Sequence, residues 1–119
     1  MPKTKPSCVT PPLKALPLLN PMQAGGLASL FKVLANDTRL RLLHSLIRDE
    51  ELCVTDMAES LGMSSQAVSN QLQRLSDLGI LVSRREGNSI YYRLVDCCVR
   101  GLLEQAWCMI EASKKPEAC

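Results

Sequence analysis

The stretch Thr55–Val95, TDMAESLGMSSQAVSNQLQRLSDLGILVSRREGNSIYYRLV, places two helical patterns and two strand patterns in a fixed order. Two short helical runs, Thr55 to Leu61 and Ser65 to Leu78, meet at Gly62, a residue suited to the positive φ of a tight turn. Ser64 is placed to cap the second run, and Gly79 to end it. Helix, short glycine-containing turn, helix is the helix-turn-helix pattern. Directly after it, Ile80–Val95 carries two β-rich runs around Glu86-Gly87-Asn88-Ser89, which predicts a short, basic β-hairpin. The order predicts a winged helix-turn-helix: mostly α, with a β-hairpin wing.

Upstream, Asp49–Cys53 (DEELC) reads as a polar joint. Before it, Thr38–Arg48 predicts a helix with Asp37 as N-cap, burying Leu40, Leu43 and Ile47. From about Ala24, Leu27, Leu30, Phe31 and Leu34 repeat at helical spacing. Six of the seven prolines lie in the first 21 residues, so residues 1–21 read as a mobile, proline-rich arm. Downstream, the pattern from Cys97 is helical again up to Lys115. The expected organisation is the arm, a DNA-binding and dimerisation domain over 22–115, and a short tail, 116–119.

At 119 residues there is room for one domain. Its four aromatics leave the core to aliphatic side chains, mainly Leu. The net charge of +2 does not announce nucleic-acid binding, but Arg84, Arg85 and Arg93 cluster in the hairpin. There is no apolar run of signal-peptide or membrane-span length, so the expected location is cytoplasmic, with no membrane partner. Six cysteines, at 8, 53, 97, 98, 108 and 119, are then expected to be reduced rather than a disulfide framework.

The second helix of the motif presents Ser64, Ser65, Gln66, Ser69, Asn70, Gln71 and Arg74. Amides and hydroxyls on such a face suit base edges in the major groove. Arg84, Arg85 and Asn88 in the hairpin are candidates for phosphate or minor-groove contact. The bland alternatives are a solvated helix face and charges that block strand pairing.

On a helical wheel from Cys97, at about 100° per residue, Cys98 and Cys108 share a flank with Gly101 and Ala112. Val99, Leu102, Leu103, Ala106, Met109 and Ile110 form the apolar stripe. Cys97 and Cys108 stand about 16 Å apart along one helix, while a zinc–sulfur bond is about 2.3 Å. One ion therefore cannot join them within a helix. An antiparallel copy, crossing near Leu103, sets Cys108 of one chain beside Cys97 and Cys98 of the other, twice. Three thiolates suit soft ions: arsenite or antimonite first, then cadmium, lead or mercury. The alternative is that these cysteines simply pack an interface.

"LANDTRLRLLHSL", "ELCV.D", "AVS.QL..L" and "R.G....Y.L.D" together resemble the ArsR/SmtB family of metal-responsive repressors, over about Leu27 to Asp96 with a family-like final helix after it. The resemblance implies a homodimer formed through the first and last helices, operator binding by the winged helix, and release on metal or metalloid binding. "YYRLVDCC" is similar to the "YY.L.DHH" that opens the family's inter-helix zinc site, with Cys97 and Cys98 in place of histidines. Cys108 falls one position before the second ligand cluster. Relatives that sense cadmium or arsenic carry "ELCVCD"; here Thr55 replaces the second cysteine, leaving Cys53, with Cys8 from the arm, as a secondary pair.

The expected function is a DNA-binding transcriptional repressor of a metal-resistance operon, not an enzyme. Alternatives are a thiol-redox or persulfide sensor of the same fold, a thiol oxidoreductase, and a winged helix used for protein contacts. The absence of C-x-x-C and of a βαβ pattern counts against the oxidoreductase.

Overall fold

The computed structural model describes residues 12–95 and 97–114, leaving aside the side chains of Cys97 and Lys114. Cys8 in the arm and Cys119 in the tail lie outside the described residues. After a 3-10 turn at Leu13–Ala15 come α1 (Pro21–Leu34), α2 (Asp37–Asp49), β1 (Glu51–Cys53), α3 (Val54–Leu61), α4 (Ser65–Asp77), β2 (Leu81–Glu86), β3 (Ser89–Leu94) and α5 (Cys97–Lys114).

Several boundaries differ from the sequence expectation for local reasons. α1 starts at Pro21 rather than near Ala24, because Asn20 and Gln23 form a reciprocal capping box. Asn20 Oδ1 accepts from the Gln23 amide at 2.8 Å, and Gln23 Oε1 accepts from the Asn20 amide at 3.0 Å. Proline at the first helical position adds a preset φ. The N-cap of α2 is Asn36, not Asp37; its Oδ1 accepts from the Arg39 amide at 3.0 Å. α2 buries Leu42, Leu43 and Leu46, with Leu40 and Ile47 only half-buried on its flanks. The expected polar joint contains a strand. Glu50, at φ 65°, turns the chain out of α2, and β1 then pairs antiparallel with β3, Leu52 opposite Tyr92.

The sheet order is β1-β3-β2, with Leu81 opposite Leu94 and Glu86 opposite Ser89 in the hairpin. Since paired residues point to the same side, Leu52, Tyr92, Leu81 and Leu94 form the side that meets the helices. Glu51, Tyr91, Arg84 and Arg93 lie on the other. The core joins Leu42, Leu43 and Leu46 to Met57, Val68, Leu72, Leu75, Leu81, Tyr92 and Val99. Each fully buried Leu contributes roughly 1.5–3 kcal/mol.

The outer helices are left with bare apolar faces. In α1 only Leu34 is buried, while Met22, Leu27 and Phe31 are exposed, the last at 51%. The stripe of α5 divides: Val99 is buried and Leu102 and Leu103 pack against the core, but Trp107, Met109 and Ile110 are exposed at 59%, 73% and 49%. Among the described residues, no helix is long and apolar enough to cross a membrane.

Candidate nucleic-acid interface and thiolate site

Gly62 takes up the left-handed conformation (φ 68°, ψ 34°) at the end of α3, and its amide closes that helix onto Ala58 and Glu59. The chain then enters α4 at Ser64, whose Oγ accepts from the Ala67 amide at 3.1 Å. This turn sets the first residues of α4 beside the hairpin. Val68, Leu72 and Leu75 anchor α4 in the core. With Val68 at zero and about 100° per residue, Gln66, Ser69 and Gln73 fall between about 100° and 160°, and Asn70 near 200°. Gln66 Nε2 donates to Asn70 Oδ1 at 3.1 Å, so these two exposed amides are pre-oriented with respect to each other.

A groove of about 220 Å³ runs between the starts of α3 and α4 and the hairpin turn, lined by Thr55, Ser65, Gln66, Ser69, Asn88 and Ile90, among others. Four of the expected DNA contacts therefore converge: Ser65, Gln66, Ser69 and Asn88. Thr55 was missed as a polar contributor, since in sequence it stood out only as the replacement of a cysteine. Its exposed place in the first turn of α3 was the available signal. Gln73, on the same face of α4, was also missed; it donates to Asp77 at 3.0 Å.

Three of the expected contacts are placed differently. Gln71 falls near 300° on the wheel, on the far flank of the core, and its Oε1 accepts from Arg39 Nε at 2.7 Å. Arg74, near 240° on the wheel, is exposed between Asn70 and Gln71 and stands a turn beyond the groove-lining residues. Arg84 lies opposite Tyr91 on the outer side of the sheet. There it stacks 4.7 Å above the Tyr91 ring and donates to both oxygens of Glu51 at 2.8 Å, and to Glu86 at 2.6 Å. The hydrogen bond from Arg84 holds the Glu51 carboxyl below the usual carboxylate range. Arg85 lies opposite Ile90, on the side that borders the groove, and among the described residues it has no ion pair. Adjacent arginines therefore differ in role: one is bound to the sheet and one is available.

On α5, Cys98 and Cys108 are each half-buried, and the side chain of Cys97 lies outside the described ones. Cys98 to Cys108 spans ten residues, about 15 Å of helix. Among the described residues, no group of three His, Cys, Asp or Glu side chains in one protomer could hold a metal ion. Cys108 is disulfide-bonded, contrary to the expectation of reduced thiols, so its sulfur must be reduced before it can ligate. Cys53 is 7% exposed on β1, opposite Tyr91. That pairing puts it on the outer side of the sheet, outside the main core cluster, and its expected partner Cys8 lies outside the described residues. His44 is exposed.

A family model for the bacterial regulatory proteins of the arsR family matches residues 36–83. A cadmium resistance transcriptional regulatory protein homolog from Staphylococcus aureus is 39% identical over 94 residues, covering 79% of this chain and 75% of that protein. The crystal structure of an antimony-specific transcriptional repressor superposes with a TM-score of 0.77 at 54% identity, covering 92% of this chain and 99% of the other. A homodimeric winged helix-turn-helix DNA-binding domain from Mycobacterium bovis, solved in solution, gives 0.70 at 28% identity, covering 86% and 96%. The winged helix-turn-helix, its polar groove and these similarities together place the chain in the ArsR/SmtB family of metal-responsive transcriptional repressors.

Proposed function

We propose that the chain acts as a homodimer that occupies operator DNA through α4 and the β2–β3 wing and leaves it when a trivalent arsenic or antimony ion is bound by cysteine thiolates shared between two α5 helices. Cadmium, lead and mercury are the next candidates. Ser65, Gln66, Ser69 and Asn70 face the major groove, while Arg85 and Asn88 meet the backbone or minor groove. The exposed faces of α1 and α5 are the dimer surfaces. Cys98 and Cys108, with Cys97, supply the thiolates across the two-fold axis.

One observation carries the ligand assignment. By helical spacing Cys98 and Cys108 sit on a flank outside the apolar stripe, on a helix whose second half exposes Trp107, Met109 and Ile110, and the set offers sulfur with no added imidazole. Thiolates also bind zinc, but a set with no imidazole or carboxylate suits the softer ions best. The similarity to an antimony-specific repressor supports the same choice.

The test is a release assay. Reduced protein is bound to a duplex that it has selected from random-sequence DNA and titrated with arsenite, antimonite, cadmium, lead, mercury and zinc. Arsenite or antimonite should release the duplex at the lowest concentration and zinc at the highest. Release by zinc alone would refute the all-thiolate site. The disulfide at Cys108 favours a second reading, a thiol-redox sensor. Release by peroxide and by none of the ions would establish that reading instead.

A further inference from the structure

Arg39 stands where helix electrostatics disfavour it. It lies in the first turn of α2, where the free N–H dipoles favour an acid over a cation. Its side chain leaves that end for two other helices. Nη1 donates to the Val33 carbonyl in the last turn of α1 at 2.9 Å, and Nε donates to Gln71 Oε1 on α4 at 2.7 Å. The carbonyls at a helix C-terminus have no partner inside the helix. Those of Phe31 and Leu34 are taken by the amides of Ala35 and Asn36. That of Val33 is taken by Arg39, at an end where a cation is favoured. One planar, half-buried guanidinium thus closes α1 and holds α4 at the same time.

We propose that Arg39 is a positioning residue for operator binding. Through Gln71 it fixes the recognition helix against the last turn of α1, so that the helix offered to the dimer and the helix offered to DNA move together. The inference rests on the repressor reading above, which makes α1 a dimer surface and α4 the DNA helix. Gln71 then acts from the flank and reads no base. A lysine at position 39 keeps the charge but not the rigid fork that spans both acceptors.

The experiment measures binding of the selected duplex by wild type, Arg39→Lys, Gln71→Met and the double variant, with the dimer constant and thermal midpoint measured alongside. Each single variant should weaken DNA binding about tenfold, as for the loss of one charge-assisted hydrogen bond. The double variant should be no worse than either single variant, because both remove the same link. Preference among single-base variants of the duplex should be unchanged, as should the dimer constant. Gln71→Glu, which keeps an acceptor facing Arg39, should retain most of the affinity that Gln71→Met loses. Additive losses, a preference lost at one base pair in Gln71→Met alone, or affinity within twofold of wild type in Arg39→Lys would each overturn the proposal. So would a dimer constant or midpoint that collapses in Arg39→Lys, since Arg39 would then hold up the fold rather than aim the helix. Wild-type protein that fails to dimerise or to bind DNA would instead refute the repressor reading itself.

Discussion

Arg84 and Arg85 are neighbours in sequence and lie on opposite sides of the sheet. In sequence the two look alike, because a pair of arginines in a wing shows charge but not side. The register decides it: Arg84 opposite Tyr91, Arg85 opposite Ile90. Arg85→Ala should therefore lower affinity for every duplex and reduce the salt dependence by about one phosphate contact. Arg84→Ala should alter the salt dependence little. Glu51→Gln, which weakens the hold on Arg84, should raise non-specific affinity. Equal losses from the two alanine variants would mean that Arg84 leaves Glu51 when DNA arrives. The same pair has a pH signature. Because the Glu51 carboxyl is held below its ordinary range by Arg84, the pair's contribution to stability is present at neutral pH and is lost as pH falls through that lowered value. Side-chain titration by NMR should find the Glu51 carboxyl below the usual glutamate range in wild type and back within it in Arg84→Ala.

At the scale of elements, the turn between α3 and α4 was legible because its chemistry is local. Gly62 needs a positive φ and Ser64 caps the next helix with its own hydroxyl. A Cβ built on Gly62 meets nothing within 4 Å, so Gly62→Ala should cost only the backbone strain, about 1–2 kcal/mol. Ser64→Ala should cost about 1 kcal/mol through the lost cap. Both should appear in denaturant unfolding, with an unchanged m-value. A much larger loss in Gly62→Ala would mean that the helices had repacked. What was not legible was non-local. β1 is three residues long and lies among acids, and only pairing with β3, about forty residues on in the chain, makes it a strand. In α2, leucines at 40, 42, 43 and 46 support two overlapping apolar stripes. The stripe that is buried depends on where α4 packs, which periodicity alone does not state.

At the scale of the whole molecule, the cysteine arithmetic and the exposed helices meet. Met109 and Ile110 belong by spacing to the apolar stripe of α5, yet both are exposed in one protomer, as are Trp107 and Phe31. Such faces mark association surfaces, and a two-fold axis across α5 would bring Cys98 of one chain to Cys108 of the other. A mixed dimer tests this crossing. Neither Cys98→Ser nor Cys108→Ser homodimers can complete a site that needs both thiolates, one from each chain. A heterodimer of the two variants can complete one site, by setting intact Cys98 against intact Cys108. After reduction of the Cys108 disulfide, wild type should bind one antimonite per protomer and each mutant homodimer none. The mixed dimer should bind one antimonite per dimer. Trp107, bonded next to Cys108, should report each event by a change in fluorescence. Release of the duplex should follow the same order, with a coupling free energy of about 1–3 kcal/mol in wild type and part of it in the mixed dimer. Full binding by either mutant homodimer would mean that the ligands do not cross the interface. Full binding with no release would keep the site but break its connection to α4. These outcomes separate because stoichiometry counts completed thiolate sites, whereas release also requires α1, α2 and α4 to move with the bound α5 pair.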